Sequence, residues 1–491
     1  MNTILVLAPI LFPILAGILI SIIKLNSNKG RQSYLISVVG LNSILVILSS
    51  LTMQGETIKL FSVMRNSSIT LRIDLLSQLF AILVSAIWLL VTLYTFKYIE
   101  HEKNENRYYT FYLMTLGAVI GVAYSANILT LYLFFEVMTL ASVPLVMHVL
   151  EKENIKAAAA YLTYSILGAS LGLMASFFFS AYQNTDIFTP GGILSFDKLS
   201  GKEGLILGVT FLAIIGFSAK AGMMPFHVWL PKAHPVAPAP ASAILSGIIT
   251  KCGIIAVIRV VYYIVGPDFL RGTWVQYSVI GLALTTIFVG SMLAFKEKIL
   301  KKRLAYSSVS QLSYILFGVM LLTLDGFSGA LLQMLFHAVA KTVLFLCVGA
   351  IIFMTHKTRV DELSGMGKKM PIVMWCFAIA AISLVGIPPL GGFVSKWYLM
   401  TGAMVEGLGI IAYLGPVVLL ISALLTAGYL FPIIQQAFFF QTDKQNGLME
   451  KEEVSKFMTI PLIILTAGLI VFGVFSTQIM QVINRIANTI M

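Results

Sequence analysis

Apolar and polar positions along this chain fall into long blocks: runs of apolar residues joined by short polar links. Fourteen runs stand out, at about 3–23, 33–53, 74–97, 108–124, 127–149, 157–182, 205–230, 238–264, 274–295, 303–323, 327–354, 371–399, 408–440 and 457–484. About 20 predominantly apolar residues are enough to cross a bilayer as a helix. A helix also satisfies its own backbone where no water can. The pattern therefore predicts an all-α integral membrane protein of fourteen spans, two of them long enough to be tilted or broken. The first run, MNTILVLAPILFPILAGILI, has no basic residue ahead of it, unlike a cleaved signal, and reads as a retained span. The stretches 183–204 and 441–456 read as a loop and a charged connector. No soluble domain is expected.

Composition agrees. The chain is 58% hydrophobic and 11% charged, against roughly 25% charged in soluble domains. Its net charge of +12 would suggest nucleic acid in a soluble protein. No basic run here is interleaved with aromatics, and a cytoplasmic bias of Lys and Arg explains the charge better. With the N-terminus outside, the inward links hold 21 basic residues, from Lys24 and Lys29 to Lys444, Lys451 and Lys456. The outward side holds 7: Lys59, Arg65, Arg72, Lys198, Lys202, Arg271 and Arg485. Both termini are thus expected outside a plasma or inner membrane. Cys252, Cys347 and Cys376 lie in apolar segments without C-x-x-C spacing and read as small core residues.

Ionisable groups inside spans cost about 2.5–3.5 kcal/mol each even on a lenient scale, so each needs a reason. They are Glu136, Lys220, Lys251, Arg259, Lys341 and Lys396, with His148 and His337 as additions. Glu136 in span 5 and Lys220 in span 7 invite pairing. At about 4 Å and an effective dielectric near 20 their attraction is about 4 kcal/mol. Making and breaking such a pair would turn the lysine into a proton-transfer site; a static bridge tying two helices is the plainer alternative. Gly216, Ser218, Gly222 and Pro225 surround Lys220, and Pro388, Pro389, Gly391 and Gly392 precede Lys396. Two interrupted spans, 7 and 12, thus each carry a lysine. Being five spans apart, they run in opposite directions, as inverted repeats with a midplane site do.

Other polar residues lie between them. Lys251 is near the middle of span 8. His337 and Lys341, four apart, share a face of span 11. Ser307, Ser308, Ser310, Gln311 and Ser313 give span 10 a polar face able to hold water. Arg259, nearer a helix end, reads as snorkelling, and His148 as interfacial. His227 and His234 flank a proline-rich hinge, PFHVWLPKAHPVAPAPASA. They lack an acidic or cysteine partner for a metal, and His227 suits a pore mouth. There is no Walker loop, no G-x-G-x-x-G after a strand and no iron–sulfur cysteine set, so no cofactor is expected in this chain.

At these residues the chain resembles the antiporter-like subunits shared by respiratory complex I, Mrp-type sodium/proton antiporters and membrane-bound hydrogenases. The resemblance is carried by FFEVMTLASVPL, GFSAKAGMMPFHVWLPKAHPVAPAPASAILSG, the Lys251 segment, RLAYSSVSQLSY, LFHAVAKTVLFL and GIPPLGGFVSKW, in order across residues 130–400. It implies fourteen spans with two inverted five-helix repeats. The corresponding divisions are 1–107 for helices 1–3, 108–264 and 265–440 for the repeats, and 441–491 for the connector and helix 14. It also implies that Glu136 modulates Lys220, that Lys251 and His337 form a central relay, and that Lys396 is the distal lysine. The chain stops after span 14 and so is expected to lack the long lateral helix of the largest complex I member. In length and motif it is most similar to the D-type subunits of Mrp antiporters.

The expected function is proton translocation, or sodium/proton exchange, within a complex of other membrane subunits. An independent solute carrier and a passive scaffold are the alternatives. A carrier would gather its polar residues compactly rather than string them along the chain, and a scaffold would survive loss of Glu136 or Lys220.

Overall fold

The computed structural model describes residues 2–23, 25, 27–64, 67–405, 407–440 and 451–491. The expectations for Lys24, Arg65, Lys444 and most of the 441–456 connector lie outside them. Fourteen helical crossings follow one another among the described residues. Spans 1 to 6 are Asn2–Ile23, Asn28–Thr52, Leu75–Tyr98, Glu105–Tyr124, Ile128–Val146 and Lys152–Tyr182. Span 7 is Glu203–Lys220 continued, after a break, by Phe226–Val228 and Trp229–Val236. Span 8 is Ala239–Val265. Spans 9 to 11 are Trp274–Lys296, Leu300–Met320 and Leu324–Thr355. Span 12 is split into Pro371–Val385 and Gly391–Ala403, and spans 13 and 14 are Ile411–Phe438 and Lys456–Val474.

Eleven of these helices are long and apolar enough to cross a membrane individually. The other three crossings fall short for local reasons. Span 4 opens on Glu105, Asn106 and Arg107. Span 10 opens on Lys301, Lys302 and Arg303 and carries serines. Span 12 is broken in the middle.

The bundle is layered in the reverse sense to a soluble protein. Spans 1, 2, 6 and 13 form the perimeter and expose Leu15, Leu51, Phe177 and Leu424 to the surrounding lipid. Span 8 is buried along its whole length, and spans 10 and 11 nearly so. These central helices carry the polar residues. A charge placed there meets protein rather than hydrocarbon, the arrangement in which intramembrane polar groups persist.

Both interruptions sit where the sequence puts glycine and proline. Span 7 breaks after Lys220 at Gly222, whose φ of +73° opens the turn. Span 12 breaks at Gly386, with φ of +90°. A side chain is strained at either angle.

Four features differ from the sequence expectation. Residues Thr57–Met64 and Ser67–Arg72 form an antiparallel hairpin between spans 2 and 3. It caps spans 4 and 5: Ala126 donates to the Thr70 carbonyl, and Thr70 N–H to Thr130 Oγ1. The 183–204 loop contains a short helix, Phe196–Leu199, and is fastened to the end of span 8 by Gly191 N–H on the Tyr262 carbonyl and Ile193 N–H on Ile264. Lys301 and Arg303, counted as link residues, are buried in the first turn of span 10, donating to the Ala237 and Tyr429 carbonyls. The fourteenth run is two helices. Span 14 stops at Val474, and Ser476–Ile490 is a separate amphipathic helix. It buries Met480, Ile483, Ile486 and Ile490 against span 11, where Ser328 donates to Asn484.

Candidate functional site

The polar residues form a line through the middle of the bundle. Lys220 is the last residue of the first half of span 7 and is 1% exposed. The turn that follows aims its ammonium at spans 5 and 6. Nζ donates to Thr139 Oγ1 at 2.8 Å, Tyr161 OH at 2.8 Å and Ser165 Oγ at 3.1 Å. It also lies 4.2 Å from the centre of the Tyr161 ring. Tyr161 OH is shared with Ser142 at 2.7 Å.

Glu136 stands one turn before Thr139 on span 5, yet forms no ion pair with Lys220 among the described residues. The static bridge is therefore absent here. The lysine's partners are neutral hydroxyls, and the Glu136 Oε1 is buried with no protein partner. Glu136 sits between the lysine pocket and the perimeter, flanked by exposed Leu133 and Leu140. Of the supporting residues around span 7, Ser218 is fully buried with an unpartnered hydroxyl. His227 is half-buried with Nδ1 unpartnered.

Span 8 brings Lys251 into the centre. Its helix widens to π-helical turns at Leu245–Ile249 and Arg259–Val265. Such bulges upset the regular backbone ladder and recur at functional sites. Beside the first bulge, Lys251 Nζ donates to the Ser246 carbonyl at 2.5 Å. Ser246 Oγ reaches Ser308 Oγ on span 10 at 2.8 Å. On span 11 Lys341 donates to the Leu304 carbonyl at 3.0 Å. His337, one turn away, is buried with both ring nitrogens unpartnered. His234 joins this group: it is fully buried, stacks on Phe345 at 4.7 Å and lies in electrostatic range of Lys251, Lys301 and Lys341.

The distal end is built on the second half of span 12. Lys396 is 5% exposed and donates to the Leu384 and Val385 carbonyls, each at 2.8 Å. Those carbonyls end the first half of the same span, where the helix dipole favours a cation. Beside it Ser395 donates to Gln333 Oε1 at 2.6 Å, and Gln333 donates to Gln311 Oε1 at 2.8 Å. That row ties spans 12, 11 and 10 together.

The polar face of span 10 is largely taken up by its neighbours. Ser307 pairs with Tyr429 at 2.7 Å, Ser308 with span 8, Ser310 with Ser291 at 2.8 Å, and Gln311 with Gln333. It clasps four neighbouring helices.

Two peripheral readings change. Arg259 does not snorkel. It is 2% exposed and paired with Asp74 at the start of span 3, with Ser77 at 3.0 Å and the Tyr263 ring at 4.4 Å. The Asp74 carboxylate also caps span 3 by accepting from Ser77 N–H at 2.9 Å. A buried guanidinium needs its counter-charge, and snorkelling was the wrong remedy because the nearby surface is covered by the 183–194 loop. His148 stays at the end of span 5, just past Val146, but it is buried there, its ring edge-on to Tyr108 at 5.3 Å. Sequence reasoning also missed Thr139, Tyr161, Ser165 and Gln333, hydroxyl and amide residues whose importance lies only in what faces them.

The family model described as "NADH:quinone oxidoreductase/Mrp antiporter, TM" matches residues 125–424, which contain the whole line from Glu136 to Lys396. The "NADH-Ubiquinone oxidoreductase (complex I), chain 5 N-terminus" model matches residues 61–109. NADH-quinone oxidoreductase subunit N of Desulforudis audaxviator is 30% identical over 84% of this chain and 83% of its own length. The D-type subunit of the Na(+)/H(+) antiporter of Alkalihalophilus pseudofirmus is 29% identical over 99% of this chain and 97% of its own. Among solved structures, a chain of the Mrp complex from Dietzia sp. matches with a TM-score of 0.85 at 22% identity, covering 99% of this chain and 97% of that one. At that identity the structural match speaks for the fold.

Proposed function

Because this chain belongs to the NADH:quinone oxidoreductase/Mrp antiporter family of membrane subunits, we propose that it moves protons across the membrane as one member of a larger membrane complex, by a relay through Glu136, Lys220, Lys251, His337, Lys341 and Lys396. One observation carries the reading: four lysines on spans 7, 8, 11 and 12 are buried in the bundle's interior, each held by neutral hydroxyls or carbonyls. Arg259, buried outside this line, is by contrast matched by a carboxylate, that of Asp74. Buried polar atoms without a protein partner recur beside these lysines, on Glu136, Ser218, His337 and Gln311. Buried water takes such positions, and lysine, histidine and water together pass protons.

Relatives named as sodium/proton antiporter and quinone oxidoreductase subunits support two settings, a secondary antiporter driven by ion gradients and a redox-driven pump. Length does not choose between them: the antiporter relative and an F(420)H(2) dehydrogenase subunit N are both matched over nearly their whole lengths. The bias of basic residues supports termini on the outer side of the membrane.

The test replaces Glu136 or Lys220 by Ala and measures ion-coupled pH-gradient formation in vesicles. Transport is lost in both variants while the complex still assembles. Transport that persists in both would sink the relay.

A further inference from the structure

Lys220 and Lys396 hold their ammonium groups in chemically different ways. The hydroxyls of Thr139, Tyr161 and Ser165 around Lys220 can both accept and donate. The atoms that hold Lys396 are carbonyl oxygens of Leu384 and Val385, which only accept. They are the last carbonyls of a 15-residue helix that ends inside the protein. Its partial negative charge points at Nζ, and the Tyr314 ring adds its face at 5.3 Å. Beside them the Ser383 hydroxyl is 1% exposed and has no protein partner. Ends of interrupted helices with freed carbonyls are where membrane proteins coordinate small monovalent cations.

Resting on the relay reading above, we propose that the carbonyl end of the first half of span 12 is a monovalent-cation site, filled by the Lys396 ammonium and taken by Na+ when that lysine gives up its proton. The charge balance is one for one: a proton leaves Lys396 for the relay, the neutral side chain withdraws, and one Na+ enters among the same oxygens. Cation and proton then exclude each other at a single place, the minimal requirement of exchange.

The groups around Lys396 allow this. Span 11 presents His337, within electrostatic range, and span 10 presents Tyr314. The first half of span 12 carries no Asp, Glu, Lys or Arg. Spans 13 and 14 carry no Asp, Glu or Arg, and the one lysine there, Lys456, is the first residue of span 14. No carboxylate competes for the cation or neutralises the lysine among the described residues. A plain helix cap would behave differently, since nothing in a cap gives Na+ a place once the lysine is removed.

The experiment uses the purified, assembled complex and radioactive Na+ with choline as the inert counter-salt. Lys396→Met leaves the carbonyls without their ammonium. The variant binds one additional, saturable Na+ per chain, displaced by unlabelled Na+ and not by choline. Wild type takes up that ion at alkaline pH and releases a proton into weakly buffered medium as it does so. An assembled Lys396→Met complex with no extra Na+ overturns the proposal. Should the variant fail to assemble, the wild type decides: proton release by Na+ and not by choline supports the site, and equal or absent release overturns it. Failure of the relay would be seen separately, as transport surviving Glu136→Ala and Lys220→Ala.

Discussion

Arg259→Met tests how buried charge is managed away from the relay. The guanidinium makes two hydrogen bonds to the Asp74 carboxylate, one to Ser77 Oγ at 3.0 Å, and ring contacts with Tyr263 at 4.4 Å and Phe188 at 5.3 Å. Removing one partner of a buried pair costs about 3–5 kcal/mol, because the survivor is left uncompensated. Here the survivor is a carboxylate 21% exposed that keeps its bonds from Ser77 N–H and Oγ, so the lower end, about 3 kcal/mol, is expected. Asp74→Asn leaves the more deeply buried guanidinium stranded and should cost at least as much. The double change Asp74→Asn with Arg259→Met restores neutrality and keeps an amide cap on span 3. It should cost less than the sum of the singles by about 2–3 kcal/mol, the coupling expected of neighbours that share one network. Unfolding in detergent mixtures titrated with SDS, run as a double-mutant cycle, gives that coupling. Singles each costing under about 0.5 kcal/mol would match surface substitutions. That outcome, or a cycle that is simply additive, would rule out the buried pair and return Arg259 to the membrane edge.

Three further outcomes are expected. Tyr161→Phe deletes one of the three acceptors of the Lys220 ammonium; a hydrogen bond to a charged group contributes about 1.5–3 kcal/mol, so proton flux should fall at least about tenfold with assembly intact, and unchanged flux would dismiss the hydroxyl cage. At the end of span 9, partial burial works to raise the Glu297 carboxyl, but the Ile299 N–H and the Lys302 ammonium outweigh it and hold it below the usual carboxylate range. Its contribution is therefore full above its ordinary value and lost as pH falls through the lowered one: Glu297→Gln should cost up to about 1 kcal/mol near neutral pH and nothing in strong acid, and an equal cost at both would contradict this assignment. Thr489 lies on the exposed face of the helix that follows span 14; a cysteine placed there should react with an impermeant maleimide applied outside intact cells, whereas labelling only after permeabilisation would reverse the proposed orientation.

What could be read in the sequence follows from lipid being the solvent. Apolar runs long enough to cross it, and Gly and Pro beside Lys220 and Lys396, are local signals, and the spans and both breaks appear where they were expected. Relations between helices left no such trace. Tyr161 and Thr139 are ordinary residues of spans 6 and 5 until the break in span 7 turns Lys220 toward them. Asp74 and Arg259 are 185 positions apart, and Asp74 lies at the very start of its span, where an acidic residue passes for a loop. The helix after span 14 was hidden because its apolar residues continue the preceding run. The spacing of Ile479, Met480, Ile483, Ile486 and Ile490 is helical and one-sided, while Gln478, Gln481, Arg485 and Asn488 take the other face; that periodicity was the available signal. The hairpin of residues 57–72 likewise alternates apolar and polar positions over a stretch too short to span.

The relay requires that protons pass along the whole buried line, through spans 8, 10 and 11, and not through one half of the bundle alone. Lys251 lies between the two broken spans and is fully buried, so Lys251→Met cuts the line in the middle while leaving Lys220 and Lys396 in place. The decisive measurement is pH-gradient formation by the reconstituted complex carrying this one change. A continuous line predicts loss of the gradient as complete as in Lys220→Ala, with the complex intact. A gradient of wild-type size would contradict it and would show that each half conducts on its own.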